Sequence, residues 1–514
     1  MFFYRRSHKE NGMNGTPSVK SGFDNEKYLV LQSENIRERI SKFGGKLYLE
    51  LGGKIFDDLH ASRVLPGFEP DSKIKMLTQL KDNAEIVAVI NSWDIEKSKV
   101  CGDTGVTYDL EVLRLIDAFR ARGFLANSVV LTQYDSQNAA DKFRDRLLSL
   151  GLNVYRHHLI PGYPSDVQQI AGENGFGKNE YVRTERSLVV ITSPGSGSGK
   201  MAACLSQLYH DHKNGVGSGY AKYETFPVWD LPLKHPVNLA YEAATADLND
   251  VNMIDPFHLE AYGKTAINYN RDIEIFPVLN AIMEKISGSS PYRSPTDMGV
   301  NTAGRCIIDG EIVKYASKQE IIRRYYASRC SVKEGRGNKS SVFKLEMLMK
   351  QAGITPENRN VVAPVMKMAG ESKRHVIGIE LRDGRIITGK ASPLMCASAA
   401  MLLNALKILG RIDDSIPLIS PSVIGPVREM KTEYFSNGCQ RLYADEILIA
   451  LSVSAATSPV ADVAFRKLPE LRGCEAHSSV ILPTADESVF RKLGVNVTCE
   501  PQYQTSDLYQ GTET

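Results

Sequence analysis

The residues best suited to binding an anion lie at 193–200 and read Ser-Pro-Gly-Ser-Gly-Ser-Gly-Lys. They follow the apolar, β-branched run Leu188–Ile191, which predicts a buried strand. Behind them, apolar residues recur at helical spacing, namely Met201, Cys204, Leu205 and Leu208. In a strand, loop and helix of this order, the loop N–H groups and the helix N-terminus attract phosphate, and a lysine adds a mobile charge. We therefore predict a phosphate-binding set formed by Gly195, Ser196, Gly197, Ser198, Gly199 and Lys200.

The loop departs from the nucleotide-binding pattern G-x-x-x-x-G-K-[ST] at two positions. Pro194 stands where the first glycine is expected, and Met201 replaces the hydroxyl residue that would hold Mg²⁺. Two interpretations therefore remain open: an anion or nucleotide-phosphate site, or a plain glycine-rich turn between a strand and a helix. If Mg²⁺ takes part, an acidic residue elsewhere must hold it, and Asp230, Asp247 and Asp250 are the candidates.

The stretch 247–258 is polar and also holds Asn252, Asp255 and His258. Its spacing does not match an EF-hand loop, which needs a glycine at position 6 and a glutamate at position 12. A polar surface loop explains the stretch. A contact to substrate or Mg²⁺ is the rival interpretation, because loops often carry function.

A second charged set follows the apolar run Leu47–Leu51. Its members, after Gly52 and Gly53, are Lys54, Asp57, Asp58, His60 and Arg63. If the sheet is parallel, this strand end and the glycine-rich loop share the edge where α/β sheets bind ligands. Arg63 would then face a phosphate, and Asp57 or His60 would act as a base. A solvated loop and helix start explains the same residues equally well.

Short apolar runs alternate with amphipathic helices up to residue 229. The runs are Leu47–Leu51, Glu85–Asn91, Ser128–Gln133, Leu152–Tyr155, Leu188–Thr192 and Tyr220–Val228. Helices are predicted at Asp24–Phe43, Val112–Phe119 and Ala140–Leu147. The alternation predicts a largely parallel sheet covered on both faces. We therefore expect a disordered tail at residues 1–22, which are polar and without periodicity, and an α/β domain with the phosphate-type loop at residues 23–229.

Residues 230–330 are predicted to be mainly helical, and 331–514 to form a C-terminal α/β domain. Helices are expected at Ile275–Ile286, Lys318–Ala327, Leu442–Ala455 and Asp486–Lys492, and strands at Pro417–Ser420, Ser479–Leu482 and Val495–Val497. The glycine-rich, basic stretch Arg329–Ser341 is typical of a linker. Asp383-Gly384 predicts a hairpin between Val376–Leu381 and Arg385–Gly389, and Pro393–Leu409 is apolar on nearly every side, as a buried helix is.

The order of hairpin and helix is similar to that of deaminase folds, but the zinc-site pattern is absent, so at most the topology is shared. The eight cysteines stand singly, without the ligand spacing of a zinc site. Cys396, near the start of the predicted buried helix, is either a nucleophile or a small core residue, and the core interpretation is favoured. No metal ligands are therefore predicted.

Composition limits the class of protein. The 514 residues carry 62 Lys and Arg against 60 Asp and Glu, so no overall basic charge favours nucleic acid. No apolar stretch reaches the roughly 20 residues of a membrane span, and scattered thiols suit a reducing compartment. We expect a cytoplasmic protein without nucleic-acid or membrane partners.

Three stretches resemble one known family: 48–71 (Tyr-Leu-Glu-Leu-Gly-Gly-Lys-Ile-Phe-Asp-Asp-Leu-His and on to Asp71), the glycine-rich loop, and 233–250 (Leu-Lys-His-Pro-Val-Asn and on to Asp250). The chain resembles uncharacterised protein family 371, also called domain of unknown function 1846, over about residues 23–497. The resemblance implies a bacterial, soluble, multidomain α/β protein of the cell interior. It implies no catalytic residues.

Two classes of function follow from the loop. The first is an enzyme that binds a nucleoside triphosphate, with Mg²⁺, or another phosphorylated small molecule and transfers or hydrolyses phosphate. The second is a regulatory protein that holds a phosphorylated ligand and does no chemistry. Self-association is also expected, because a helix as apolar as Pro393–Leu409 suits a subunit contact as well as a core.

Overall fold

The computed structural model describes residues 21–101, 105–435 and 440–505. Most of the predicted disordered tail, residues 1–20, lies outside them. The chain divides into two compact units, one formed by Met1–Tyr241 and Val251–Ser317 and the other by Glu242–Asp250 and Lys318–Thr514. Each unit is built around a sheet of its own.

The strands are β1 (Leu47–Leu51), β2 (Ala84–Asn91), β3 (Leu125–Tyr134), β4 (Asn153–His158), β5 (Leu188–Thr192), β6 (Gly219–Tyr223), β7 (Asn252–Ile254), β8 (Ile267–Tyr269), β9 (Gly299–Val300), β10 (Val376–Glu380), β11 (Ile386–Lys390), β12 (Glu475–Ser478) and β13 (Asn496–Cys499). The helices of the first half are α1 (Asn25–Lys42), α2 (Leu59–Val64), α3 (Ser72–Thr78), α4 (Ser92–Glu96), α5 (Tyr108–Arg120), α6 (Asn138–Ser149), α7 (Val167–Ile170), α8 (Lys200–Lys213), α9 (Pro236–Ala244) and α10 (Pro256–Tyr262). Those of the second half are α11 (Asn270–Ser287), α12 (Pro295–Met298), α13 (Gly310–Lys333), α14 (Lys339–Ala352), α15 (Val362–Ser372), α16 (Ala397–Gly410), α17 (Pro421–Met430), α18 (Ala444–Ala455), α19 (Pro459–Phe465) and α20 (Thr484–Leu493).

The first unit contains a parallel sheet of seven strands in the order β4-β3-β2-β5-β1-β6-β9. Strands β1, β2 and β5 are buried along their whole length, because helices cover both faces of such a sheet. The prediction of a largely parallel sheet is confirmed. A small antiparallel pair, β7 and β8, belongs to the same unit.

The chain reverses its direction across the sheet between β2 and β5. After β2 it continues to β3 on one side, and after β5 it continues to β6 on the other, while β2 and β5 are neighbours. In open α/β sheets, ligands bind in the crevice at the carboxyl ends of two such strands. The glycine-rich loop follows β5 directly, so it lies at this reversal point.

The local sequence determines where helix α1 begins and ends. Asp24 caps its first turn by accepting a hydrogen bond from the Lys27 amide, and the helix ends at Phe43, just before two glycines with positive φ. The helix packs on one face of the sheet, where the hydroxyl oxygens of Tyr28 and Tyr223 lie 2.7 Å apart. The predicted helix at Asp24–Phe43 is therefore confirmed.

The second unit contains a sheet in the order β11-β10-β12-β13. The predicted hairpin is confirmed, with β10 and β11 antiparallel and Gly384 at a φ of 83° in its turn. Helix α16 packs on this hairpin and supplies Met401, Leu402 and Leu406 to the core. The predicted buried helix is therefore confirmed, while the likeness to deaminase folds stays a prediction.

Three local predictions are wrong. Most of the predicted linker Arg329–Ser341 is helical, because α13 runs to Lys333 and α14 begins at Lys339. Lysine and arginine favour helices, so the break is limited to residues 334–338, where Gly335 adopts a φ of 75°. Pro417–Ser420 forms no strand and instead precedes α17, which starts at Pro421. Ser479–Leu482 also forms no strand, because β12 ends at Ser478 and these residues lead to α20.

Candidate functional site

The loop after β5 turns its carbonyl groups toward the sheet. The Ser198 carbonyl accepts a hydrogen bond from Thr132 Oγ1 at 2.6 Å, and the Gly197 carbonyl accepts one from Asn91 Nδ2 at 3.4 Å. The Gly195 carbonyl accepts the Ser198 hydroxyl at 2.7 Å. Three loop acceptors are thus satisfied by side chains of the protein, and the loop conformation is held in place.

The backbone N–H groups of the same loop differ from its carbonyl groups in their hydrogen bonding. Those of Ser196, Gly197, Gly199 and Lys200 donate no hydrogen bond to any residue that the structure describes. Gly197 and Gly199 adopt φ values of 76° and 86°, a region that suits glycine. Such a run of donors next to a helix start is a geometry that attracts an anion.

Two glycines of the loop are required for space. A Cβ atom at Gly195 would lie 2.2 Å from the Tyr108 hydroxyl, and one at Gly199 would lie 3.0 Å from Thr132 Oγ1. Tyr108 and Thr132 therefore contact the loop at two glycines. A larger residue at Gly195 must displace the tyrosine ring.

Lys200 is the first residue of α8, and its side chain is only 13% exposed. Its ammonium donates to Ser193 Oγ at 3.2 Å and lies 4.0 Å from Glu50 Oε1. Ser193 and Lys200 are the two ends of the loop, so this bond closes it. The ammonium therefore stands at the loop with one carboxylate beside it.

Glu50 connects Lys200 to a buried charged cluster. Its Oε2 accepts the Tyr220 hydroxyl at 2.8 Å, and in the register of β1 and β6 it pairs with Lys222. The Lys222 ammonium lies 2.5 Å from Asp272 Oδ2 and 3.0 Å from Glu224 Oε1, and it contacts the Tyr269 hydroxyl. We call Glu50, Tyr220, Lys222, Glu224, Tyr269 and Asp272 the strand-end cluster.

Burial and charge shift the titration of this cluster. Burial raises the pKa of Glu224 to about 7, although the neighbouring ammonium opposes the shift. Burial alone would lower the pKa of Lys222, but the carboxylates of Asp272 and Glu224 raise it above its ordinary value. Lys222 is therefore charged at neutral pH, and Glu224 titrates there.

One further polar group belongs to this edge of the sheet. Ser92 follows the last residue of β2 and is fully buried. Its hydroxyl has no hydrogen-bond partner within residues 21–101, 105–435 and 440–505. The preceding residue, Asn91, donates to the Gly197 carbonyl of the glycine-rich loop, so Ser92 follows a strand that ends at the reversal point of the sheet.

Comparison with known proteins gives the family. Residues 21–353 match the family described as domain of unknown function DUF1846, N-terminal, and residues 357–509 match its C-terminal counterpart. The chain belongs to this family. A UPF0371 protein of Corynebacterium efficiens is 54% identical over 493 residues, covering 96% of this chain and 100% of the relative. A UPF0371 protein of Streptococcus thermophilus is 54% identical over 491 residues, covering 96% of this chain and 99% of the relative. The predicted resemblance is confirmed, and both relatives are bacterial.

In this DUF1846 family member, the predicted phosphate-binding residues, Gly195 to Lys200, form one turn. Arg63 lies half-buried in α2, after the β1 end, and has partners of its own. Asp57 is exposed, whereas Asp58 caps α2 and pairs with Lys73 at 2.9 Å. Burial opposes the charge of Asp58, but the ammonium outweighs burial and lowers the pKa of that carboxyl. Asp58 therefore has a structural role.

The three acidic residues predicted to hold Mg²⁺ have contacts of their own. Asp230 is exposed and lies against Gly304, where a Cβ atom would meet its carboxylate. Asp247 and Asp250 belong to the second unit, and the Asp250 carbonyl accepts a bond from Lys344. The carboxylate beside Lys200 is that of Glu50. A role of Asp230, Asp247 and Asp250 stays a prediction.

Sequence reasoning missed the strand-end cluster. Glu50 and Lys222 lie inside two runs whose sequence predicts only strands, Leu47–Leu51 and Tyr220–Val228. The available signal was a charged residue within a strand expected to be buried, which requires a partner in the fold. Asp272 could not be paired with them, because it lies 50 residues from Lys222 along the chain.

Two further expectations concern metals and thiols. Cys396 is 8% exposed within the core, and burial raises its pKa above the ordinary value, which confirms the core interpretation. Within the part of the chain that the structure describes, no group of three or more His, Cys, Asp and Glu side chains is placed to hold a metal ion. The described helices also include none with the length and apolar character needed to cross a membrane.

Proposed function

We propose that this protein binds the phosphate group of a small molecule, such as a nucleotide, at the turn Ser193–Lys200. The proposal rests on the difference in hydrogen bonding between the carbonyl groups and the N–H groups of the turn. Its carbonyl groups are held by Thr132 and Asn91, while four N–H groups have no acceptor among the described residues. A phosphate oxygen accepts several N–H groups at once and gains from the adjacent helix N-terminus.

Three surrounding features support the proposal. The turn lies where the chain reverses direction across the sheet, which is the usual ligand position in this architecture. The Lys200 ammonium is held at the turn by Ser193, so it needs little reorganisation to reach an anion. Ser92, whose buried hydroxyl has no partner among the described residues, directly follows β2, the strand next to β5.

Phosphoryl transfer and regulatory binding both start from this site. Transfer requires neutralisation of the moving phosphoryl charge, which Lys200 and the turn amides supply. Met201 favours the second function, a regulatory protein that binds its ligand without chemistry, because the turn lacks the hydroxyl that usually holds Mg²⁺. Binding is common to both and is the step to test first.

The test is a thermal-unfolding series on the wild-type protein with inorganic phosphate, adenosine monophosphate and ATP. Sodium chloride at matched ionic strength is the control. A ligand that binds the folded state stabilises it by about 2.7 kcal/mol at a hundred times its dissociation constant. We expect a concentration-dependent rise of the unfolding temperature with at least one phosphate compound and none with chloride. If every phosphate compound behaves as chloride does, the proposal is wrong.

A further inference from the structure

The carboxylates near the turn already have cations. Glu50 lies 4.0 Å from the Lys200 ammonium, accepts the Tyr220 hydroxyl, and pairs in register with Lys222. One oxygen of the carboxylate beside the turn therefore accepts a hydroxyl, and the other faces an ammonium at 4.0 Å. A divalent cation at Glu50 would have to displace an ammonium or a hydroxyl that the fold positions.

The other two carboxylates of the strand-end cluster also face an ammonium group. Asp272 and Glu224 share the Lys222 ammonium, at 2.5 and 3.0 Å. Counting Glu50 and Lys200, three carboxylates face two ammonium groups, which leaves one surplus negative charge. Glu224, with a pKa near 7, removes that surplus when it takes a proton. The cluster is then neutral without a metal ion.

The turn itself offers nothing to replace these groups. Met201, at the position next to Lys200, has no oxygen to give to Mg²⁺. Mg²⁺ in phosphate sites is usually held by one or two carboxylates together with the phosphates of the substrate. At this turn the nearest carboxylate is neutralised by resident lysines, whereas the N–H groups that suit an anion have no partner among the described residues.

We infer that the turn binds a phosphate monoester as a free anion, without a divalent cation, and that Lys200 and the turn amides hold it. The inference rests on the proposed function and specifies its ligand. A monoester carries a charge of about −1.5 to −2 at pH 7. The Lys200 ammonium, which the phosphate would share with Glu50, and a helix N-terminus, equivalent to roughly +0.5, offset part of that charge and a much smaller part of the charge of a triphosphate.

The experiment is calorimetric titration of adenosine monophosphate and ATP into the full chain, once with EDTA and once with Mg²⁺. We expect the dissociation constant of the monophosphate to differ by less than about twofold between the two buffers, and Mg²⁺ not to make ATP the tighter ligand. If either compound binds only with Mg²⁺, or more than about tenfold tighter with it, the inference is overturned while the proposed phosphate site stands. If neither compound binds in either buffer, the inference is overturned, and the proposed function then depends on whether inorganic phosphate raises the unfolding temperature.

A variant separates the two electrostatic roles that Glu50 can have. Glu50→Gln keeps the shape and an acceptor for Tyr220 but removes a negative charge 4.0 Å from the Lys200 ammonium. If Glu50 only balances Lys200, the variant binds the monophosphate equally or up to about tenfold tighter in EDTA, because the ammonium is released. If Glu50 holds Mg²⁺, the variant loses affinity in the Mg²⁺ buffer, and this loss overturns the inference. Circular dichroism verifies the fold, and if the variant does not fold, the wild-type titrations alone decide.

Discussion

Each unit of this protein buries a network of charged side chains, and the two networks are used differently. In the first unit, the strand-end cluster reaches Lys200, beside a turn with four unpaired N–H groups among the described residues. In the second, Arg359 is 1% exposed and contacts Glu475, and it donates to the carbonyl groups of Ala476 and Asn496. Arg323 pairs with the same Glu475 at 2.9 Å.

The difference distinguishes a structural network from a candidate site. The guanidinium of Arg359 bonds to backbone carbonyl groups of the paired strands β12 and β13, so its donors hold the sheet together. The strand-end cluster instead lies next to donors that the described protein leaves unused. A buried charge alone therefore does not distinguish a candidate site from a structural network, whereas unused donors beside it do.

The largest effect on stability is expected from a variant that breaks the network of Arg359, Arg323 and Glu475. Arg359→Met leaves Glu475 with one cation fewer in the core. Removal of one partner of a buried ion pair typically costs about 3–5 kcal/mol. We expect the denaturant midpoint of the second unit to fall accordingly, as followed by circular dichroism, and phosphate binding by the folded variant to stay unchanged. An unchanged midpoint would show that the network is not structural.

The next effect concerns the glycines. Gly195→Ala places a Cβ atom 2.2 Å from the Tyr108 hydroxyl, and such overpacking typically costs about 1–3 kcal/mol. The matched control is Gly370→Ala in α15, where a Cβ atom meets nothing within 4 Å. There the change should stabilise slightly, by about 0.5–1 kcal/mol. Urea unfolding of both variants measures the difference, and equal effects would contradict the packing described at the turn.

The two networks also predict opposite responses to pH. The pKa of Glu224 is raised from 4.5 to about 7, so the folded state holds more protons than the unfolded state between these values. Stability from Glu224 is therefore present at low pH and falls as pH rises from 4.5 to 7, by at most about 1.4 kcal/mol per pH unit.

Burial would raise the pKa of Glu475, but Arg323 and Arg359 lower it, so its contribution is lost as pH falls through the acid range. Relative to wild type, Glu224→Gln should flatten the decline of stability toward neutral pH, and Glu475→Gln should flatten the loss at acid pH. Unfolding curves measured at several pH values test both, and identical profiles for the two variants would contradict the comparison.

The smallest effect concerns Cys396, at the start of α16. Its thiol is buried and its pKa is raised, so the reactive thiolate is scarce. We expect no alkylation of Cys396 by iodoacetamide in the folded protein at pH 8 and full alkylation in denaturant, as read by peptide mass spectrometry. Rapid labelling of the native thiol would restore the nucleophile interpretation.

Much of the fold could be predicted because its signals are local. The apolar runs at Leu47–Leu51 and Leu188–Thr192 match β1 and β5, and the turn after β5 follows from its glycines and Lys200. Strand β9 could not be predicted, because two residues, Gly299–Val300, carry no periodicity.

Local sequence patterns do not reveal the charged residues that contact the turn. Glu50 pairs with Lys222 only through the register of β1 and β6, and with Lys200 only through the order of strands in the sheet. The hairpin β10–β11 was accessible, since two adjacent strands and their turn are contiguous in the chain.

The central claim is that the turn Ser193–Lys200 binds phosphate, and Lys200→Ala tests it most directly. A charge-assisted hydrogen bond is typically worth about 1.5–3 kcal/mol, so affinity for phosphate, sulfate or ATP should fall roughly tenfold to a hundredfold while the fold stays intact. Lys213→Ala, at the other end of α8 and exposed beside Glu173, is the control and should bind as wild type does. Calorimetric titration of the three proteins measures the difference. Equal affinities of wild type and Lys200→Ala for all three anions, or no binding by either, would contradict the account.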